Sequence, residues 1–153
     1  SSDLVDPSLW PPGFAAWIKI GVVYQQSYRH LAAELRPLGL SVAQFDALAN
    51  LYVGDDISQQ QLAGRLLVTK GNVTGMVNRL AERGWVTRST DPDDRRSNRL
   101  RLTPSGRRLA ARALRVQREL VDQMMSVLEP AEREVLRQHL ARLAGRIQQT
   151  VGP

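Results

Sequence analysis

Two short stretches of this sequence carry groups suited to reading a nucleic-acid duplex. The first holds Lys70, Asn72, Thr74, Asn78 and Arg79, all polar, within a run that otherwise reads as a helix. Amide, hydroxyl and guanidinium groups pair with the donors and acceptors that base edges present in a major groove. Lys70 is one of only two lysines, with Lys19. A cation in the first helical turn opposes the helix dipole, and a phosphate bound there reverses that sign. The second stretch is Asp91-Pro92-Asp93-Asp94-Arg95-Arg96-Ser97-Asn98. Its Asp, Pro, Ser and Asn are turn formers, and its arginines suit a narrow A·T minor groove. Asp94 and Arg96 are placed to pair across the turn. The bland alternatives are a solvated lysine at a helix end and surface ion pairs worth about 0–1 kcal/mol each.

These groups need elements to hold them. Apolar residues from Phe14 onward (Trp17, Ile18, Tyr24, Tyr28, Leu31, Leu35) recur at helical spacing, ending near Pro37 with Gly39 as a left-handed stop. Ser41 with Gln44 and Ser58 with Gln61 are capping boxes that open a second and a third helix, the second running to about Tyr52. Gly54-Asp55-Asp56 separates them. Thr69 is expected to cap the fourth helix, whose buried stripe is Val73, Met76, Val77 and Leu80, with Gly84 just past its end. Lys70, Asn72, Thr74, Gly75, Asn78 and Arg79 are then left facing outward. Ala63 lies where two such helices cross closely, and Gly71 and Gly75 would let a backbone approach DNA. Trp85–Arg88 and Arg99–Leu102 alternate like the two strands of a half-buried hairpin with its arginines outward. Thr103-Pro104 opens a long fifth helix to about Val127, and Pro130 a sixth. The expected fold is mostly α with a small β-wing.

Composition narrows the partners. The 153 residues suit a single domain with a real core, and the formal charge of +6 favours an anionic partner. There are no cysteines and only two histidines, His30 and His139, so no metal or cofactor is expected. No apolar run approaches a membrane span and no signal segment opens the sequence, so a cytoplasmic protein is expected. Arg107, Arg108, Arg112, Arg115 and Arg118 read as a solvated helix face. Trp17, Tyr24 and Tyr28 suit either core packing or a pocket for an aromatic ligand.

The run Gly71 to Leu80, then Arg83-Gly84-Trp85-Val86, the wing Asp91 to Arg96 and Leu102-Thr103-Pro104-Ser105-Gly106 resemble the MarR family of bacterial transcriptional regulators. The resemblance covers nearly the whole chain, so residues 1–153 are expected to form one MarR-like domain. It implies a winged helix-turn-helix lobe over 41–103 and a helical dimerisation lobe from 14–38 and 104–149. It also implies a homodimer on a pseudo-palindromic operator, acting as a repressor released by a small aromatic or anionic ligand. The DNA-binding candidates are Ser58, Gln59, Lys70, Asn72, Thr74, Asn78, Arg79, Arg88, Asp94, Arg95 and Arg96. Many members carry an arginine where Gly75 stands, and the peroxide-sensing cysteine branch is excluded. Three alternatives stand beside this reading. They are a winged-helix module for protein–protein contact, a ligand-independent DNA-binding protein and an enzyme, for which no nucleophile–base pair or metal cluster is visible.

Overall fold

A computed structural model describes residues 9–66 and 72–151. The elements are α1 (Phe14–Leu35), α2 (Val42–Val53), β1 (Ile57–Ser58), α3 (Gln59–Arg65), α4 (Val73–Glu82), β2 (Val86–Thr90), β3 (Asn98–Leu102), α5 (Pro104–Met125) and α6 (Pro130–Val151). A 3₁₀ turn over Arg36–Leu38 follows α1, and Gly39 closes it at φ +73°, as its position predicts. The fold is mostly α with a small wing, as expected. The chain divides into two compact units, one through Gln117 and the other from Arg118.

The first unit holds the core. Leu35, Leu48, Leu51, Leu62, Val77, Leu80 and Leu100 are fully buried. They come from α1, α2, α3, α4 and β3, so the helix pair and the wing share one interior. Both capping boxes are formed: Ser41 with Gln44 on α2, and Ser58 with Gln61 on α3. The predicted stripe of α4 is buried throughout, at Val73, Met76, Val77 and Leu80.

The sheet has three strands in the order β1-β3-β2, all antiparallel. Sequence reading finds only the hairpin, because β1 is two residues long and shows no periodicity. In register, Ile57 pairs with Leu100 and Val86 with Leu102, which puts the apolar residues on one face. Thr103 fastens the wing to α5. Its hydroxyl donates to the Gly84 carbonyl at 2.6 Å and accepts the Gly106 amide at 2.9 Å. Its own amide donates to the Trp85 carbonyl at 3.0 Å. A Cβ on Gly106 would stand 1.9 Å from that carbonyl oxygen, so only glycine fits.

The second unit is the end of α5 and α6. Among its described residues none is buried, and Val135, Leu136, Leu140, Leu143 and Ile147 are exposed apolar side chains. No helix among the described residues is long and apolar enough to cross a membrane.

Candidate nucleic-acid interface

The outward face of α4 is built from its cap. The described helix starts at Val73, and Asn72 is its N-cap: the Asn72 side-chain oxygen accepts the Gly75 amide at 2.7 Å. This corrects the expected cap. The helix begins at Asn72 rather than at Thr69, which lies outside the described residues with Lys70 and Gly71. The Asn72 side-chain oxygen is engaged by its own helix, which leaves its NH2 group as the part that can face a base. Asn and Thr both cap well, and here the asparagine takes the position. The same geometry explains Gly75, because a Cβ there would meet the Asn72 side chain at 2.5 Å. The glycine makes room for the cap.

Thr74 and Arg79 are exposed and Asn78 is half-buried, on the side of α4 away from the core, as the helical period predicts. Gln59, in the first turn of α3, donates its side-chain N–H to the Thr74 hydroxyl at 2.8 Å. Two candidate readers from different helices thus meet at the N-terminal end of α4. Ser58 caps α3, accepting the Gln61 amide at 3.0 Å, so its lone pairs are partly spent. Ala63 is half-buried on α3.

The wing turn is rigid for local reasons. Asp91 accepts the Asp93 amide at 2.9 Å and Asp94 accepts the Arg96 amide at 3.0 Å, two Asx turns in succession. Asp94 therefore does pair with Arg96, but through the Arg96 backbone rather than its guanidinium. Two residues apart in a tight turn, the carboxylate meets the amide first. Arg95 and Arg96 are exposed at the tip, and Arg88 is exposed on β2. Among the described residues, Arg79, Arg88, Arg95 and Arg96 have no carboxylate partner. Arg96, Asp94 and Asn98 line one side of an open cleft of about 440 Å³, and Gln59, Ala63 and Val73 line the other. The wing tip and the start of the helix pair thus share one surface.

The strand arginines behave differently. Arg99 and Arg101 leave the apolar face as their alternation with leucine predicts, yet neither is free. Both donate Nε to the same Asp56 carboxylate oxygen, at 2.9 and 3.0 Å. Arg99 also donates to the Asp56 carbonyl and reaches Asp91 at 3.4 Å. Asp55 accepts the Leu102 amide at 3.1 Å and pairs with Arg107 at 3.4 Å, so Arg107 is not simply solvated. The hydrogen bond from Arg99, then that from Arg101, draws the Asp56 carboxyl down to about 2. Sequence reading took Asp55-Asp56 only as a helix breaker. The available signal was the acidic pair beside two arginines alternating with leucines. The three aromatic ligand candidates lie on α1, with Trp17 65% and Tyr24 58% exposed and Tyr28 exposed as well. They are not core of this chain.

The chain matches the family model described as MarR family over residues 40–97, which spans the helix pair and most of the wing. It is 28% identical over 130 residues to the HTH-type transcriptional regulator MhqR of Bacillus subtilis, covering 82% of this chain and 90% of that one. It is 36% identical over 87 residues to the multiple antibiotic resistance protein MarR of Escherichia coli, covering 57% of this chain and 60% of that protein. Its fold matches the crystal structure of an S. aureus MepR–DNA complex with a TM-score of 0.78 at 21% identity, covering 84% and 96% of the two chains. An outward-facing polar helix, a wing anchored beside it and these likenesses agree, and the chain belongs to the MarR family of winged helix-turn-helix, DNA-binding transcriptional regulators rather than to an enzyme family.

Proposed function

We propose that this protein is a homodimeric, sequence-specific repressor that leaves a pseudo-palindromic operator when a small aromatic or anionic ligand binds. The observation that carries the DNA reading is the shared surface of α4 and the wing. The wing tip shares a cleft with the start of the helix pair, Thr74 and Arg79 are exposed on α4, and no carboxylate among the described residues pairs with Arg88, Arg95 or Arg96. Outward groups on α4 read base edges in the major groove. Arg88, Arg95 and Arg96, with Lys70, supply phosphate or minor-groove contacts and hence salt-dependent affinity. MepR, whose fold this chain shares, is solved in complex with DNA, which supports the DNA reading.

The dimer is supported by apolar surface that the single chain leaves in water. On α1 this includes Trp17, Ile18, Val23 and Tyr24, and on α6 Leu140, Leu143 and Ile147. Exposed apolar faces of this extent mark interaction surfaces. Two copies of α4 related by a two-fold axis would address half-sites about 34 Å apart. Trp17, Tyr24 and Tyr28 then line a ligand site completed by the partner. The ligand acts by its differential affinity for the conformation in which the two α4 helices no longer fit successive grooves. A gel shift with the DNA flanking the gene tests the DNA reading, and salt-insensitive or absent binding would favour a protein-docking module. Thermal-shift screening with aromatic acids, followed by release of bound duplex, tests the ligand.

A further inference from the structure

Asp56 is a focal tie between the wing and the segment that leads into α3. Asp56 adopts a left-handed backbone at φ +61°, alone among the described non-glycine residues. That conformation lets it address β3 with its whole length. Its amide donates to the Leu100 carbonyl at 2.8 Å, its carbonyl accepts from Arg99, and its carboxylate accepts from Arg99 and Arg101. Ile57 and Ser58 follow at once in register with Leu100 and Arg99, Ser58 caps α3, and Gln59 reaches Thr74 on α4. At its other end the Arg99 guanidinium reaches Asp91, which folds the wing turn by accepting the Asp93 amide. A single guanidinium therefore joins Asp56 to the first residue of the wing turn.

We propose that Arg99, held between Asp56 and Asp91, is the positioning residue that sets the wing tip against α4, and that it contacts no phosphate itself. The proposal rests on the DNA reading above and adds a division of labour among the arginines. Arg95 and Arg96 touch the duplex, while Arg99 aims them. A planar fork with several fixed donors suits this task, and a lysine does not replace it.

The prediction has a sign that plain electrostatics reverses. Asp56→Asn removes a negative charge from a DNA-binding lobe, which by charge alone tightens binding to every duplex. A positioning role instead weakens binding to the preferred sequence and leaves other sequences nearly untouched. The probe is a duplex recovered by the wild-type protein from a randomised pool, set against a scrambled duplex of the same composition. Asp56→Asn and Arg99→Lys are expected to lose about tenfold on the recovered duplex, the scale of one misread base pair. Arg99→Gln is expected to leave the slope of log K against log salt at the wild-type value, since no phosphate contact is lost. Should Asp56→Asn fail to fold, Asp91→Asn carries the test, because asparagine keeps an oxygen for the Asp93 amide and loses only the ion pair. Equal or tighter binding of the recovered duplex by the folded Asp variant, or a slope reduced by about one in Arg99→Gln, overturns the proposal. A wild-type protein that recovers no preferred sequence fails the DNA reading itself and takes the proposal with it. Selectivity lost only in the variants keeps the two apart.

Discussion

The wing arginines divide into those with carboxylate partners, Arg99 and Arg101, and those without, Arg88, Arg95 and Arg96, and the proposed DNA contacts fall to the second group. Arg96 ends at the wing tip among polar groups of α3 and its own turn. Arg96→Ala is expected to lower duplex affinity and to reduce the salt slope by about 0.9, the value for one phosphate contact, as measured by fluorescence anisotropy across a salt series. An unchanged slope would place Arg96 away from the backbone. Asn72 and Gly75 form a second residue-scale pair. Asn72→Ala should cost about 1 kcal/mol through the lost cap. Gly75→Ala gains up to about 1 kcal/mol of helix propensity but displaces the Asn72 side chain, so alone it should be near neutral. In the Asn72→Ala background it should stabilise, and urea unfolding of the four proteins measures the coupling. The outward positions Thr74, Asn78 and Arg79 were legible in the sequence because a 3.6-residue period fixes them once the apolar stripe is known. The Asn72 cap was not, because Thr69 and Asn72 are both good caps and local sequence does not rank them. The Arg96 backbone bond was hidden for a similar reason: sequence shows charges, and the turn geometry decides which atoms meet.

At the scale of elements, the helices and the hairpin follow from the sequence to within a few residues, since caps, glycine stops and alternation all point the same way. The third strand does not. Two residues carry no period, and β1 exists only because Asp56 turns the chain onto β3. That junction makes stability depend on pH. The Asp56 carboxyl sits at about 2 in the fold against an ordinary 3.8, so it favours the folded state above the ordinary value. This contribution is lost as the pH falls from 3.8 toward about 2. Asp56→Asn should therefore melt below the wild type at neutral pH and converge with it through that window. A gap in melting temperature that persists at the acid end would remove the ion pairs as its cause. The junction between the wing and α5 is sterically closed. Gly106→Ala should cost about 1–3 kcal/mol or prevent folding, because the added methyl meets a backbone carbonyl that has no room to yield.

For the molecule as a whole, the apolar residues left exposed on α1 and α6 suit the second copy proposed above. Sedimentation equilibrium should give about twice the chain mass of 17.1 kDa, and Leu140→Glu with Leu143→Glu should return it to one. The periodicity of these helices was legible, but their exposure was not: a buried stripe and an exposed apolar stripe look alike in sequence. The net charge of +6 fits the same picture, a basic dimer drawn to a polyanion and then sorted by the α4 side chains. The most direct test of that picture is the affinity of the wild-type protein, over a range of salt, for its pool-selected duplex and for a scrambled one. Log affinity is expected to fall linearly with log salt for both, with the selected duplex held roughly a thousandfold or more tighter at fixed salt. Equal affinity for the two duplexes, or binding indifferent to salt, would contradict it.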